Sequence, residues 1–132
     1  MPQTRRKIVG VIGPNEATST AEMKQFAEQL GQTLANAGYR IACGGKQGIM
    51  EGVCRGAHQS ASYREGNTIG ILPDDEASAA NPWCDIVIPT GIGLARNQVI
   101  VKTADILIAI SGGAGTLSEI AYAWQHGKIV IC

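Results

Sequence analysis

One stretch of this 132-residue chain has the residue types of an anion-binding loop. The loop is Ser111-Gly112-Gly113-Ala114-Gly115-Thr116, and it directly follows a continuous apolar run at 106–110. A run that is apolar on both faces predicts a strand buried between two layers. Apolar residues then recur at helical spacing, at Leu117, Ile120, Ala121 and Trp124. A loop with few side chains at a helix N-terminus exposes backbone N–H groups and a partial positive charge, so this pattern predicts phosphate binding.

The same loop also fits a purely structural role. Glycines at a strand-to-helix turn can serve tight geometry alone. Thr116 and Glu119 have the spacing of a capping box, in which both side chains satisfy N–H groups at the start of a helix. The sequence therefore leaves two roles open for Glu119, helix capping and chemistry, while the loop as a whole favours anion binding.

A second glycine loop, Gly44-Gly45-Lys46-Gln47-Gly48, follows another strand-like segment. Lys46 could meet a phosphate as a point charge, and it could equally be an exposed loop lysine. The loop is not a Walker A motif, because Lys46 precedes the last glycine and no Gly-Lys-Ser/Thr follows. The loop after the first strand lacks G-x-G-x-x-G, which disfavours an ordinary dinucleotide fold.

Strand-like and helix-like segments alternate at short spacing. The strand segments are 7–13, 39–43, 68–72, 85–88, 106–110 and 128–131. Ser19 and Glu22 form a second candidate capping box, before a helix that Gly38 ends. A further helix follows Gly48 and would place His58 in its middle. The alternation predicts a single α/β domain over 1–132, a Rossmann-like three-layer sandwich with a mostly parallel sheet.

The strand-to-helix loops of a parallel sheet all lie at the carboxyl ends of the strands, where ligands bind at the switch point of the strand order. The loops after the first, second, fourth and fifth strands are rich in glycine and polar residues. They therefore predict one crevice, to which Gly13 and Thr90 contribute from the first and fourth loops. The longer loop at 73–83 carries an acidic run at 74–76, interpreted as solvated in preference to metal-binding.

Composition excludes several classes of function. Eleven basic and eleven acidic residues give zero formal net charge, which leaves no electrostatic footprint for nucleic acid or an anionic membrane. No apolar run approaches the length of a bilayer span, so a cytoplasmic protein is expected. The four cysteines form no C-x-x-C pair and the two histidines are not at ligand spacing from them, so reduced thiols and no metal site are expected.

These motifs resemble the SLOG superfamily. The residues that carry the resemblance are Gly44-Gly45-x-x-Gly48-Ile49-Met50, Arg96 and Gly112-Gly113-x-Gly115-Thr116-x-x-Glu119. Its best-known branch is the LOG-type cytokinin-activating phosphoribohydrolases, which hydrolyse the N-glycosidic bond of a nucleoside 5′-monophosphate. Chain length, Ala95-Arg96-Asn97 and the loop that begins at Ser111 are more similar to the branch that includes molybdenum cofactor carrier proteins.

The resemblance implies that Arg96 and Glu119 are a catalytic pair and that a phosphorylated small molecule is the ligand. Together with the loops above, it gives the ligand-binding set Gly13, Gly44, Gly45, Lys46, Gly48, Thr90, Asn97, Ser111, Gly112, Gly113, Gly115 and Thr116. No cofactor is required on this interpretation, and a nucleotide or the molybdenum cofactor would be the bound molecule. Relatives of this kind imply a homo-oligomer, a dimer or larger.

Two departures from the LOG-type pattern keep two functions open. Ser111 stands where those enzymes carry proline, and Asn97 stands where they carry lysine after the catalytic arginine. The first hypothesis is a phosphoribohydrolase that acts on a nucleoside monophosphate. The second is a non-catalytic carrier or sensor of a phosphorylated ligand such as the molybdenum cofactor.

Overall fold

The computed structural model of the chain describes residues 5–110, 127 and 129–131. In this part of the chain the strands are β1 Ile8–Ile12, β2 Arg40–Cys43, β3 Thr68–Leu72, β4 Ile86–Pro89, β5 Ile106–Ala109 and β6 Ile129–Ile131. The helices are α1 Ala21–Asn36, α2 Ile49–His58 and α3 Arg96–Thr103, with single 3₁₀ turns at Ala77–Ala79 and Gly93–Ala95. All strands pair in parallel in the order β4-β3-β2-β1-β5-β6, which confirms the predicted α/β, Rossmann-like class.

Helices cover both faces of the sheet, as the continuous apolar runs predicted. Val9, Val11 and Ile41 pack with α1 and α2 on one face. Ile12, Ile69, Ile71 and Leu107 pack with α3 on the other face. Because adjacent residues of a strand point to opposite faces, central strands covered on both sides read as apolar throughout.

The helices α1 and α2 approach each other backbone to backbone. A Cβ atom added at Gly31 would overlap the carbonyl oxygen of Val53, and one added at Gly56 would overlap the carbonyl oxygen of Glu28. These two positions therefore admit only glycine at this helix separation. The close contact holds α2 rigidly against α1, and α2 is the helix that follows the second glycine loop.

The start of α1 corrects one prediction. Thr20, and not Ser19, is the N-cap, and its side chain accepts a hydrogen bond from the N–H of Met23 at 3.1 Å. Ser19 Oγ instead donates to the carbonyl oxygens of Pro14, at 3.0 Å, and Asn15, at 2.5 Å. Both residue types are good caps, and Ser19 is used to close the loop after β1. Gly38, with φ of +89°, follows the end of α1 as predicted.

Asp85 fixes the amino ends of β3 and β4, at the edge of the sheet opposite the predicted crevice. Its Oδ2 atom accepts from the N–H groups of Gly66, Asn67 and Thr68 at 2.9–3.2 Å. Its Oδ1 atom accepts from the Tyr63 hydroxyl at 2.7 Å. Backbone donors are thus satisfied by a carboxylate that is only 7% exposed.

His58 also reaches this carboxylate, and its position differs from the prediction. The residue ends α2 and does not lie mid-helix. Its Nε2 atom lies 3.2 Å from Asp85 Oδ1 and 2.9 Å from the carbonyl oxygen of Trp83, and its ring stacks on Tyr63. Burial and the adjacent Asp85 carboxylate raise the pKa of Tyr63 to about 12. His58 and Trp83 thus take part in the contacts at the amino ends of β3 and β4.

We expect Asp85→Asn to lower the free energy of unfolding by about 2–3 kcal/mol, because an amide presents an N–H₂ group to some of these donors and leaves them unpaired. Urea unfolding followed by circular dichroism measures the change. Glu76→Gln removes an exposed carboxylate from the connection between β3 and β4. It should change the free energy of unfolding by less than about 0.5 kcal/mol. Equal stabilities of the two variants would contradict the role given to Asp85.

Candidate functional site

The strand order places a switch point between β1 and β5. The chain runs from β1 outward through β2 and β3 to β4, then returns to the other side of β1 for β5. At the carboxyl ends of these two strands the N–H of Ile110 donates to the carbonyl oxygen of Ile12 at 2.8 Å. A Cβ atom on Gly13 would lie 2.9 Å from the carbonyl oxygen of Ile110. Gly13 therefore lies at the point where a parallel sheet binds its ligands.

The loop after β1 also touches the start of α2. Gly48 has φ of +77°, and a Cβ atom there would lie 2.7 Å from the backbone of Asn15 and 2.9 Å from Ser19 Oγ. The N-cap residue of α2 is Gly48, which has no side chain to accept from the helix. The first N–H groups of this helix, with the positive end of its dipole, thus lie at the carboxyl edge.

Arg96 joins three elements at this edge. Its Nη1 atom donates to the carbonyl oxygens of Gly44, at 2.7 Å, and Ile71, at 2.9 Å, while its Nε atom donates to Asn97 Oδ1 at 2.8 Å. The loop after β2, the end of β3 and the first turn of α3 are thereby held together. A Cβ atom on Gly44 would overlap the guanidinium, so only glycine allows this approach.

Lys46 is neither a free cation nor a plain exposed lysine. Its ammonium forms an ion pair with Asp74 Oδ2 at 2.9 Å, and the side chains are 31% and 40% exposed, respectively. The backbone beside Lys46 is fixed by Asn81, whose Nδ2 donates to the Lys46 carbonyl oxygen and whose N–H donates to the Gly45 carbonyl oxygen, both at 2.8 Å. The connection between β3 and β4 thus holds this glycine loop in place.

The sequence missed the contribution of that connection. The acidic run at 74–76 was interpreted as solvated, and Asp75 and Glu76 are indeed exposed, but Asp74 faces Lys46. Asn81 also belongs to this connection, and it is only 2% exposed. Its partners are 35 and 36 positions away, and an asparagine in a loop gives no signal of such partners.

Thr90 uses its hydroxyl within the protein. The Oγ1 atom donates to the carbonyl oxygen of Leu72 at 2.6 Å, and the N–H of Thr90 donates to the same oxygen at 3.1 Å. Thr90 thus ties the carboxyl end of β4 to that of β3. A contact between Thr90 and a ligand stays a prediction, and it would require this hydroxyl to exchange partners.

The remaining predicted residues lie outside the described part of the chain. They are Ser111, Gly112, Gly113, Gly115, Thr116 and Glu119. Of the others, the structure brings Gly44, Arg96 and Asn97 into direct contact, and Gly13, Gly45, Lys46, Gly48 and Thr90 lie on the same edge of the sheet.

Three cysteines meet below the Gly44-Gly45 turn. Cys43 Sγ lies 3.5 Å from Cys54 Sγ, and the N–H of Gly45 donates to Cys43 Sγ at 3.4 Å. Cys84 Sγ lies 3.9 Å from the Gly45 carbonyl oxygen. The neighbouring Cys43 and Cys84 thiols, with burial, raise the pKa of Cys54 well above its usual value. All three are free thiols in the structure.

Within 5–110, 127 and 129–131, no group of three or more His, Cys, Asp and Glu residues is arranged to hold a metal ion. Over the same residues, no helix is both long and apolar enough to cross a bilayer.

Comparison with known proteins supports the class that the fold defines, a Rossmann-like α/β protein. The chain belongs to the SLOG cluster4 family, which matches residues 6–132. The structure is similar to that of the molybdenum cofactor binding protein from Rippkaea orientalis, with a TM-score of 0.89 and 40% identity over 97% of this chain and 76% of that one.

Two further relatives represent both branches considered above. The molybdenum cofactor carrier protein from Chlamydomonas reinhardtii superposes with a TM-score of 0.84 and is 32% identical, over 95% of this chain and 75% of that one. A cytokinin riboside 5′-monophosphate phosphoribohydrolase from Mycobacterium tuberculosis is 28% identical over 83% of this chain and 58% of its own length. The resemblance inferred from the sequence is therefore confirmed at the level of the family.

Proposed function

We propose that this chain binds a phosphorylated, nucleotide-like small molecule at the carboxyl edge of its sheet. The observation that carries the proposal is the contact of Arg96 with Gly44, which brings a fixed guanidinium into the glycine loop that precedes α2. The same loop supplies the Lys46 ammonium, and the helix behind it begins after Gly48, an N-cap residue without a side chain. Cations and a helix N-terminus at one edge suit a phosphate group.

The positive charge at this edge is local, because the chain as a whole has zero formal net charge. A binding site for one phosphorylated molecule needs only such a local concentration of donors. A nucleic-acid surface would need a broad basic face. The glycine loop at 111–116 is part of the proposal on the strength of its sequence pattern and the family resemblance.

The relatives favour carriage over hydrolysis. Two proteins described as binding or carrying the molybdenum cofactor are 40% and 32% identical to this chain, which covers about three quarters of their length. The phosphoribohydrolase is less similar, and the chain covers 58% of it. The pterin-phosphate part of that cofactor would present the chemistry that Arg96 and Lys46 suit. We therefore propose a carrier or sensor of a phosphorylated ligand as the first candidate.

A phosphoribohydrolase is the second candidate, and the pair Arg96 and Glu119 would perform its chemistry. Cleavage of an N-glycosidic bond develops positive charge on the ribose, which the Glu119 carboxylate would stabilise. Arginine stays charged at neutral pH, so Arg96 would orient that carboxylate or clamp the phosphate. The Nε and Nη1 donors of Arg96 already bind protein acceptors, which favours the positioning role.

Inorganic phosphate or a nucleoside monophosphate at millimolar concentration should raise the melting temperature, since a ligand that binds only the folded state stabilises it by mass action. Thermal denaturation followed by circular dichroism measures the shift. Gly113→Val should abolish the shift in a protein that still folds, because the added side chain would fill the loop. An intact wild-type protein that shows no shift with any of these anions would reject the binding proposal.

Carrier and enzyme differ in turnover. Incubation with a panel of nucleoside monophosphates should release free base and ribose 5-phosphate only if the protein is a hydrolase. In that case Glu119→Gln should lower kcat by about a hundredfold or more and spare binding, because charge stabilisation of a transition state is worth several kcal/mol. Ligand binding without base release from any member of the panel is the result we expect from a carrier, and it would exclude the hydrolase.

A homo-oligomer is the last part of the proposal. By register with Ile69 and Ile71, the edge-strand residues Ile86 and Ile88 lie on the α3 face of the sheet, where they are 40% and 41% exposed. Leu94, in the 3₁₀ turn before α3, is 80% exposed. Apolar side chains so placed support contact with a second copy of the chain.

We expect light scattering at micromolar concentration to show a dimer or larger. Ile88→Lys combined with Leu94→Lys should give a monomer, since two charges cannot be buried unpaired at an interface. Gln98→Lys introduces a charge at an exposed position of α3 and should leave the assembly unchanged. A monomeric wild-type protein would refute the oligomer.

A further inference from the structure

The geometry points to the Lys46–Asp74 ion pair as a counter-ion gate: we propose that Asp74 neutralises Lys46 in the empty site and that the anionic group of a ligand displaces it. This inference rests on the proposed function and names the step by which the ligand enters. It assigns Asp74 a role that sets the affinity of the site without touching the ligand.

The Lys46–Asp74 ion pair is weak. The Nζ–Oδ2 distance is 2.9 Å, but both side chains remain about a third exposed or more. Ion pairs in this environment contribute little to stability, because water screens the charges and competes for their hydrogen bonds. A ligand phosphate can therefore take the place of the Asp74 carboxylate at small cost, whereas a deeply buried pair would resist exchange.

The backbones of Lys46 and Asp74 are fixed, while the ends of their side chains are not. Asn81 holds the carbonyl oxygens of Gly45 and Lys46. On the other side, the N–H of Gly91 donates to the carbonyl oxygen of Asp74 at 3.0 Å. Exchange of the partner thus requires only rotation of side-chain torsions of Lys46 and Asp74, which is fast for partly exposed residues.

Arg96, the other cation of the site, differs from Lys46 in the kind of partner it has. Arg96 donates to backbone carbonyl oxygens, which are held by the sheet and its loops. Its Nε and Nη1 donors would have to break hydrogen bonds with the protein to meet a ligand. Lys46 instead has a carboxylate partner that can move away and solvate, so Lys46 is the cation whose partner responds to an incoming anion.

Inorganic phosphate is the probe for the test, with its affinity measured by calorimetry on the full chain. Asp74→Asn removes the competing charge and should tighten phosphate binding by about two- to fivefold. Asp75→Asn is the matched control, because it removes the same charge from the neighbouring exposed residue. At physiological ionic strength, where screening acts over about 8 Å, the control should change affinity by less than about 1.5-fold.

In a gate, the effect of Asp74→Asn on phosphate binding depends on Lys46, whereas a general charge effect does not. Lys46→Gln should weaken phosphate binding, and Asp74→Asn added to that variant should have no further effect, since coupled residues are not additive. A purely structural pair predicts that Asp74→Asn lowers the melting temperature without tightening binding. The gate alone would be overturned if Asp74→Asn left the affinity for phosphate unchanged or lowered it. It would also be overturned if Asp75→Asn raised that affinity equally. Absence of phosphate binding by the wild type and by Asp74→Asn would overturn the proposed function, and the gate with it.

Discussion

The carboxyl edge of this protein depends on one guanidinium and the absence of one Cβ atom. Arg96 Nη1 binds the carbonyl oxygens of Gly44 and Ile71, which belong to the exits of two neighbouring strands. Any side chain at Gly44 would occupy the space of the guanidinium. A charged donor that binds two carbonyl oxygens makes stronger hydrogen bonds than a neutral one. The arrangement therefore fixes the relative positions of the loop after β2, the end of β3 and the start of α3.

The parallel sheet is what makes this local contact useful for binding. Because every strand runs in the same direction, every strand exit lies on one edge, and the reversal of strand order beside β1 opens a crevice there. Gly13 and Gly48 let the loop after β1 approach both β5 and α2. These glycines thus serve the close approach of one backbone to another.

The sequence predicted the sheet well because strands that are buried on both faces appear in the sequence as continuous apolar runs. The strand β3 was placed at 68–72, as observed, and the fold class followed from the alternation of elements. Features decided by competition or by distant contacts were not predictable. Ser19 and Thr20 are both suitable caps, and only the carbonyl oxygens of the loop after β1 decide between them. Lys46 and Asp74 are 28 positions apart, and nothing in either neighbourhood indicates the other.

The sequence predicted individual residues of the candidate site, but it did not predict which of them contact each other. Glycines, Lys46 and Arg96 were recognised by type and by family pattern, but the sequence could not say which cation has a fixed partner. The structure distinguishes them: Arg96 is bound to backbone oxygens, whose positions the sheet sets, and Lys46 is bound to a side chain that can rotate away. A fixed cation contributes shape and a constant field, while an exchangeable one couples ligand arrival to the release of its counter-ion. A site that combines the two can bind an anion and let it go again, because the carboxylate that yields to the ligand remains close enough to replace it.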